Sequence, residues 1–283
     1  MNQAITIYEV NQRQKSGLLK ILIVMIKDII LYRELIWQLF KRDFLMQYKK
    51  SFLGFGWILL SPLIGFASWV FINAAGVLNP GDIDFPYPAF VLISTTLWGF
   101  FTNSLIAASR TLKAGEGFIN QVNYPHHIIL VKEISQSFIN FIIAFIFVTI
   151  ILHGFQVELH NLYYLTPLLI LPMLVFASAI GLTISIINVI SMDIEKMIAY
   201  ILNFLMFLTP VVYLPQNKTG IVKLIITYNP MTYLHGCARD LTVFGQTDNL
   251  ALFAYLTAGA VLLLMLSMKW FYVAEEKVIE KMI

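Results

Sequence analysis

Few residues of this chain are placed to do covalent chemistry. The five histidines, His126, His127, His153, His160 and His235, show no pairing with cysteine or carboxylate at the spacing of a metal site. Asp82-x-Asp84 spaces two carboxylates as a metal-assisted sugar-transfer site would, but it falls on a short Gly/Pro turn, NPGDID, where a solvated pair is the simpler reading. No GxxxxGK[ST] loop is present to cradle a nucleotide phosphate. Cys237 is the single cysteine and cannot close an internal disulfide. No catalytic set and no metal-ligating set is therefore expected. What remains is non-covalent. Lys41, Arg42, Lys49 and Lys50 crowd against the edge of an apolar segment. Pro62, Phe66, Trp69 and Asn73 recur at i, i+4, i+7 and i+11, and Tyr200, Asn203, Phe204 and Phe207 form a similar stripe, each on one face of a helix. Such stripes offer aromatic faces for stacking and amides for hydrogen bonds without fixed charge. They equally suit helix packing and interfacial aromatic belts.

Composition says what must hold these residues. Of 283 residues 59% are apolar and 12% charged, with a mean hydropathy of +0.77; a soluble domain carries about 25% charged residues. Six long stretches lack any Asp, Glu, Lys or Arg: Phe52–Leu78, Phe85–Ser109, Ile134–Val157, Leu159–Met192, Met197–Asn217 and Asn249–Met268. Each supplies the roughly 20 apolar residues of a membrane-crossing helix. The expected fold is all-α and polytopic, with six transmembrane helices. Continuous apolar runs exclude barrel strands, and the polar Met1–Lys20 does not read as a cleavable signal.

Sixteen of the 19 Lys and Arg fall on one side of these spans; only Lys218, Lys223 and Arg239 fall on the other. The positive-inside rule then places both termini in the cytoplasm. Lys20, Lys27, Glu34 and Lys41 recur every seven residues between Leu18 and Gln47, the pattern of an amphipathic helix lying in the interface; a broken seventh span over Leu18–Leu31 is the alternative. The expected organisation is a cytoplasmic N-terminus with interfacial helix (1–50), a six-helix transmembrane domain (51–272) and a cytoplasmic tail (273–283). The domain includes an inner connection at 110–132 and two short external re-entrant helices at 216–246. Spans without ionisable residues leave no midplane site for a coupling ion. Energy must come from another polypeptide, unless the chain is a passive channel, and no ring of charge marks a selectivity filter.

The segment KRDFLMQYKKSFLGFGWILLSPL carries a family likeness in Arg42, Asp43, Tyr48, Ser51, Leu53, Gly54, Trp57 and Pro62. Further matches follow in order: Leu97-Trp98 through Phe101, FINQVNYPHH, TPVVY at Thr209–Tyr213, and YNPMTYLHGCARD with Asn229, Pro230, Met231 and Arg239. From about Leu35 to the last span the chain resembles the type 2 permeases of ABC transporters that export polysaccharides. The resemblance implies a homodimer bound to two copies of a nucleotide-binding ATPase subunit in the bacterial inner membrane. ATP and Mg would be held by that subunit, with no cofactor in this chain and no nucleic-acid partner. The substrate would be an undecaprenyl-linked polysaccharide, O-antigen first, with capsule or teichoic acid as alternatives. A membrane-embedded sugar transferase or polymerase is the rival from another class. On this reading Phe66, Trp69, Asn73, Tyr200, Asn203, Phe204 and Phe207 line the substrate pathway. Arg42, Lys49 and Lys50 meet the anionic headgroup among membrane lipids. A short helix at Ala114–Pro125, with Glu116, Phe118, Asn120, Tyr124 and Pro125, docks on the ATPase through an exposed aromatic tip. Where the family often has Lys/Lys and Pro-Arg, this chain has Asn120, Gln121 and Pro125-His126, which changes the electrostatics of that contact.

Overall fold

The computed structural model describes residues 17–49, 52–54, 56–77, 81, 83–115, 124–189, 191, 193–215 and 220–282, and every regular element among them is a helix. Two helices precede the first apolar stretch, α1 (Leu18–Leu31) and α2 (Arg33–Lys49). The single interfacial helix expected over Leu18–Gln47 is thus interrupted at Tyr32. Its N–H donates to the Asp28 carbonyl at 2.8 Å and its own carbonyl accepts from Ile36 at 2.9 Å, so hydrogen bonding runs through the break. Lys20, Lys27, Glu34 and Lys41 are all exposed, while Ile21 and Met25 on the other side of α1 are buried.

The chain turns from α2 into α3 (Gly56–Ala74) through Gly54, whose φ of 50° is left-handed. Only glycine takes that conformation without a Cβ clash, and it lets the Leu53 carbonyl accept the Gly56 N–H at 2.8 Å. There follow α4 (Tyr87–Ser109), the short α5 (Thr111–Gly115), α6 (His127–Gly154), a 3-10 turn (Asn161–Leu165), α7 (Thr166–Leu169) and α8 (Leu171–Asn188). Then come α9 (Asp193–Leu208), α10 (Gly220–Tyr228), α11 (Pro230–Val243) and α12 (Leu250–Met282). The last is a single helix of 33 residues, about 50 Å at 1.5 Å per residue, so it continues past the bilayer through the expected tail.

Among the described residues five segments are long and apolar enough to cross a membrane: Gly56–Ala74, Tyr87–Ser109, His127–Gly154, Asn161–Asn188 and Leu250–Glu275. The chain is a multi-pass membrane protein. The expected sixth span, in the stretch Met197–Asn217, is represented by α9, whose 16 residues reach about 24 Å, short of a hydrocarbon core of about 30 Å. Pro210, which offers no N–H to continue the helix, helps to end it. Beyond it Thr209, Val211 and Val212 run as buried irregular backbone. Such backbone is tolerated at membrane depth where protein surrounds it and satisfies its polar groups.

The centre of the molecule is α4. It is the most buried of the spans, packing against α8, α6, α3, α9 and α11. Between helices in lipid, close approach of small residues replaces the hydrophobic drive. Gly181 of α8 is the tightest such approach: a Cβ there would stand 2.5 Å from the Leu105 carbonyl oxygen and 2.6 Å from the Ala108 Cβ. The Asn188 side-chain amide donates to the Ser109 carbonyl at 2.9 Å in the same crossing. On its other side α8 packs along α12, with Thr183 Oγ1 donating to Ser267 Oγ at 2.9 Å.

Candidate functional site

A cavity of about 600 Å³ lies between α3, α4 and α6, with Gln47 of α2 and Asn203 and Met206 of α9 at its margins. Three tryptophans face it, Trp57 and Trp69 from α3 and Trp98 from α4. Amides reach it from four helices: Gln47, Asn103, Asn140 and Asn203. None of the described residues lining it is Asp, Glu, Lys, Arg or His. Thr95 and Thr96 also line it, but each donates its hydroxyl to a carbonyl one turn back, Val91 and Leu92, both at 2.7 Å. They therefore face the cavity as acceptors. Gly65 and Gly99 border it too, and a Cβ at either would meet nothing within 4 Å; their lack of a side chain keeps the space open. The lining offers flat apolar surfaces beside neutral donors and acceptors, which suits a neutral, hydroxyl-rich ligand.

The two stripes expected from the sequence meet here only in part. Trp69 and Asn203 line the cavity with Pro62, and the Trp69 and Phe207 rings lie 5.8 Å apart, joining α3 to α9. Phe66 packs half-buried against the core, and Asn73 is half-buried at the far end of α3. Tyr200, Phe204 and Phe207 are 75%, 64% and 61% exposed, so most of the α9 stripe faces outward from this chain. Trp98, Asn103 and Asn140 were not anticipated. The signal available was an amide in each of two otherwise uncharged stretches, but nothing in either stretch shows that they share a wall.

At the end of the molecule that carries α1 and α2, Arg42 pairs with its neighbour Asp43 at 2.6 Å, and Lys49 is exposed in the last turn of α2. Lys50 lies outside the described residues, as do Glu116, Phe118 and Asn120 of the inner connection and Asp82 of the external turn. Asp43 also takes the ammonium of Lys132, at 2.9 Å, from the first turns of α6; the Lys132 side chain is 6% exposed and reaches Glu133 as well, at 2.5 Å. Burial pushes the Asp43 carboxyl up, but Lys132 and Arg42 outweigh it and hold the group below the usual carboxylate value. One turn on, the Gln136 amide donates to Gln47 at 2.7 Å. The end of α2 is thus fastened to α6 beside the cavity. Tyr124 does not stand on an exposed tip: it is buried against Ile128, Ile129, Tyr32, Leu35 and Ile36, and Pro125 beside it is half-buried.

At the opposite end the two sequence motifs interlock. Asn229 donates through its amide to Thr209 Oγ1 at 2.8 Å and accepts the Met231 N–H at 2.9 Å, capping α11. Arg239 is 1% exposed; it donates to the Pro210 carbonyl at 2.6 Å, pairs with Asp240 at 2.7 Å and lies 4.8 Å over the Phe90 ring. His235 donates through Nε2 to the Ser94 carbonyl at 3.1 Å. These motif residues satisfy the irregular backbone after α9 and fix α11 against α4. They are structural.

A family model described as "ABC-2 type transporter" matches residues 34–243. The chain is 23% identical over 218 residues to an O-antigen export system permease protein of Myxococcus xanthus, covering 75% of this chain and 82% of that one. Two proteins of the same name from Klebsiella pneumoniae are 22% and 23% identical, over 73% and 72% of this chain and 79% and 78% of their own lengths.

Proposed function

The chain belongs to the ABC-2 type transporter family, and on that premise we propose that it is the membrane half of an ATP-driven exporter that carries an undecaprenyl-linked polysaccharide, O-antigen in the first place, across the bacterial inner membrane. It is a transporter subunit and not an enzyme. The observation that carries the substrate assignment is the uncharged cavity with Trp57, Trp69 and Trp98 facing the amides of Asn103, Asn140 and Asn203. Stacking and neutral hydrogen bonds hold a glycan weakly at many points, and a fixed charge would arrest it at one. A capsule or teichoic-acid glycan would meet the same surfaces; the names of the three relatives favour O-antigen.

The family supports a reading of the rest of the assembly. ATP and Mg belong to a nucleotide-binding subunit, two copies of which would serve a homodimer of this chain. The 110–132 connection would dock on that subunit and both termini would be cytoplasmic. The outward Tyr200, Phe204 and Phe207 of α9 would face the second copy across the conduit. The exposed Lys49 and the Arg42–Asp43 pair would flank the lipid headgroup as it arrives.

Cavity filling tests the reading without removing any contact. Gly99→Phe places a ring where a Cβ meets nothing, so the helices stay packed while the space closes. The expected result is a fall in surface glycan of about tenfold or more, the equivalent of 1.36 kcal/mol on the limiting step, with the ATPase subunit still copurifying. Normal export from a folded Gly99→Phe variant would exclude this cavity from the path.

A further inference from the structure

The inner connection returns to the membrane domain at Tyr124–His127, where three elements from distant parts of the chain converge. The His126 N–H donates to Glu275 Oε1 at 2.6 Å, and His126 Nδ1 lies 2.9 Å from the same oxygen. His127 Nε2 lies 3.3 Å from Asp28 Oδ2 on α1. Tyr124 forms a buried cluster with Ile128 and Ile129, on which Tyr32, Leu35 and Ile36 pack where α1 passes into α2. The contacts are inside the protein: His126 is 6% exposed, His127 1% and Glu275 3%. A buried carboxylate contributes little net stability even when paired. Its value is positional, because an oxygen that accepts the N–H of His126, the residue just before α6, fixes where that helix begins relative to α12.

We propose that Glu275, acting through His126, is a positioning residue for energy coupling: it ties the return of the inner connection to the cytoplasmic end of α12, so that the connection, α6 and α12 move as one body. This rests on the reading above that the ATPase subunit docks on the connection. Motion imparted there is delivered to the last span through Glu275 and to α1 through His127 and Asp28. It reaches α2 through Tyr124, and α2 carries Gln47 at the margin of the cavity.

The test uses the chain in complex with its ATPase subunit and scores copurification, ATP hydrolysis and surface glycan separately. Glu275→Ala is expected to keep the complex and its ATP hydrolysis while glycan exported per ATP falls roughly tenfold, within the usual range of coupling between sites. Glu275→Gln, which retains an oxygen for the His126 N–H, restores most of it. Unchanged export per ATP in Glu275→Ala overturns the proposal, as does a Glu275→Gln variant no better than Glu275→Ala. Should Glu275→Ala assemble poorly, His126→Cys with Glu275→Cys in a Cys237→Ser background decides. A fixed joint exports equally well crosslinked and reduced, whereas export that stops on crosslinking shows the pair must separate. Failure of the docking reading looks different: the unaltered chain would not bring down the ATPase subunit at all.

Discussion

Lys132 is the clearest single residue whose role the sequence hides. It reads as one cation of an inner loop, yet it sits buried in the first turns of α6 with two carboxylates, one of them 89 residues away in the chain. Hydropathy finds the edge of the span and cannot find that partner. Asp43→Ala leaves Lys132 only Glu133, and is expected to cost about 1–3 kcal/mol, less than the 3–5 kcal/mol of a buried pair broken outright. Thermal unfolding in detergent measures it. The pH dependence follows from the same pair. The folded-state pKa of Asp43 lies below its usual value, so its contribution is present above the ordinary Asp value of about 3.9 and is lost as pH falls through the lower folded value. The unaltered protein should lose unfolding temperature on acidification from about pH 5 to below pH 4, and Asp43→Asn should lose measurably less. An equal loss in both proteins would show that Asp43 is not held by Lys132.

Helices were legible where lack of charge sets their limits and illegible where packing does. The stretch Phe85–Ser109 became α4 with ends close to those expected, whereas α6, on the stretch Ile134–Val157, starts well before it, at His127, and takes in Lys132 and Glu133. Met197–Asn217 overshot, because the lock among Thr209, Pro210, Asn229 and Arg239 decides where α9 stops, whereas in sequence TPVVY reads as part of the span and YNPMTYLHGCARD as part of the short external helices. The cavity was illegible for a related reason. Trp57, Trp98 and Asn140 come from three separate stretches, and only helix rotation sets them face to face. The rotation of α8 on α4 is fixed at Gly181. Gly181→Ala would press a methyl to 2.5 Å from the Leu105 carbonyl oxygen, and overpacking of this kind costs about 1–3 kcal/mol. Gly259→Ala on α12, where a Cβ meets nothing within 4 Å, is the control. Equal unfolding temperatures for the two variants would contradict the close crossing.

At the scale of the whole molecule, polarity is arranged in three levels. The end that carries α1 and α2 holds the Lys132 and Glu275 contacts, a neutral cavity lies between the spans, and the lock of Thr209, Asn229 and Arg239 closes the opposite end. An arrangement of this kind suits the proposed passage of a neutral polymer. Single replacements separate the surfaces: Trp69→Ala, in the cavity, should reduce surface glycan about tenfold, the equivalent of 1.36 kcal/mol on the limiting step, at matched protein level. Phe204→Ala, on the outward face of α9, should do so only if that face meets the path in the dimer. The central claim is export itself, and one measurement reaches it most directly. In cells lacking this chain, lipid-linked glycan is quantified at the cell surface and in the inner-membrane fraction. Transport by this subunit predicts that surface glycan disappears while completed, lipid-linked polymer accumulates on the cytoplasmic face, and that restoring the chain clears it. If the polymer is instead not made, or surface glycan is unchanged, the chain is not the exporter.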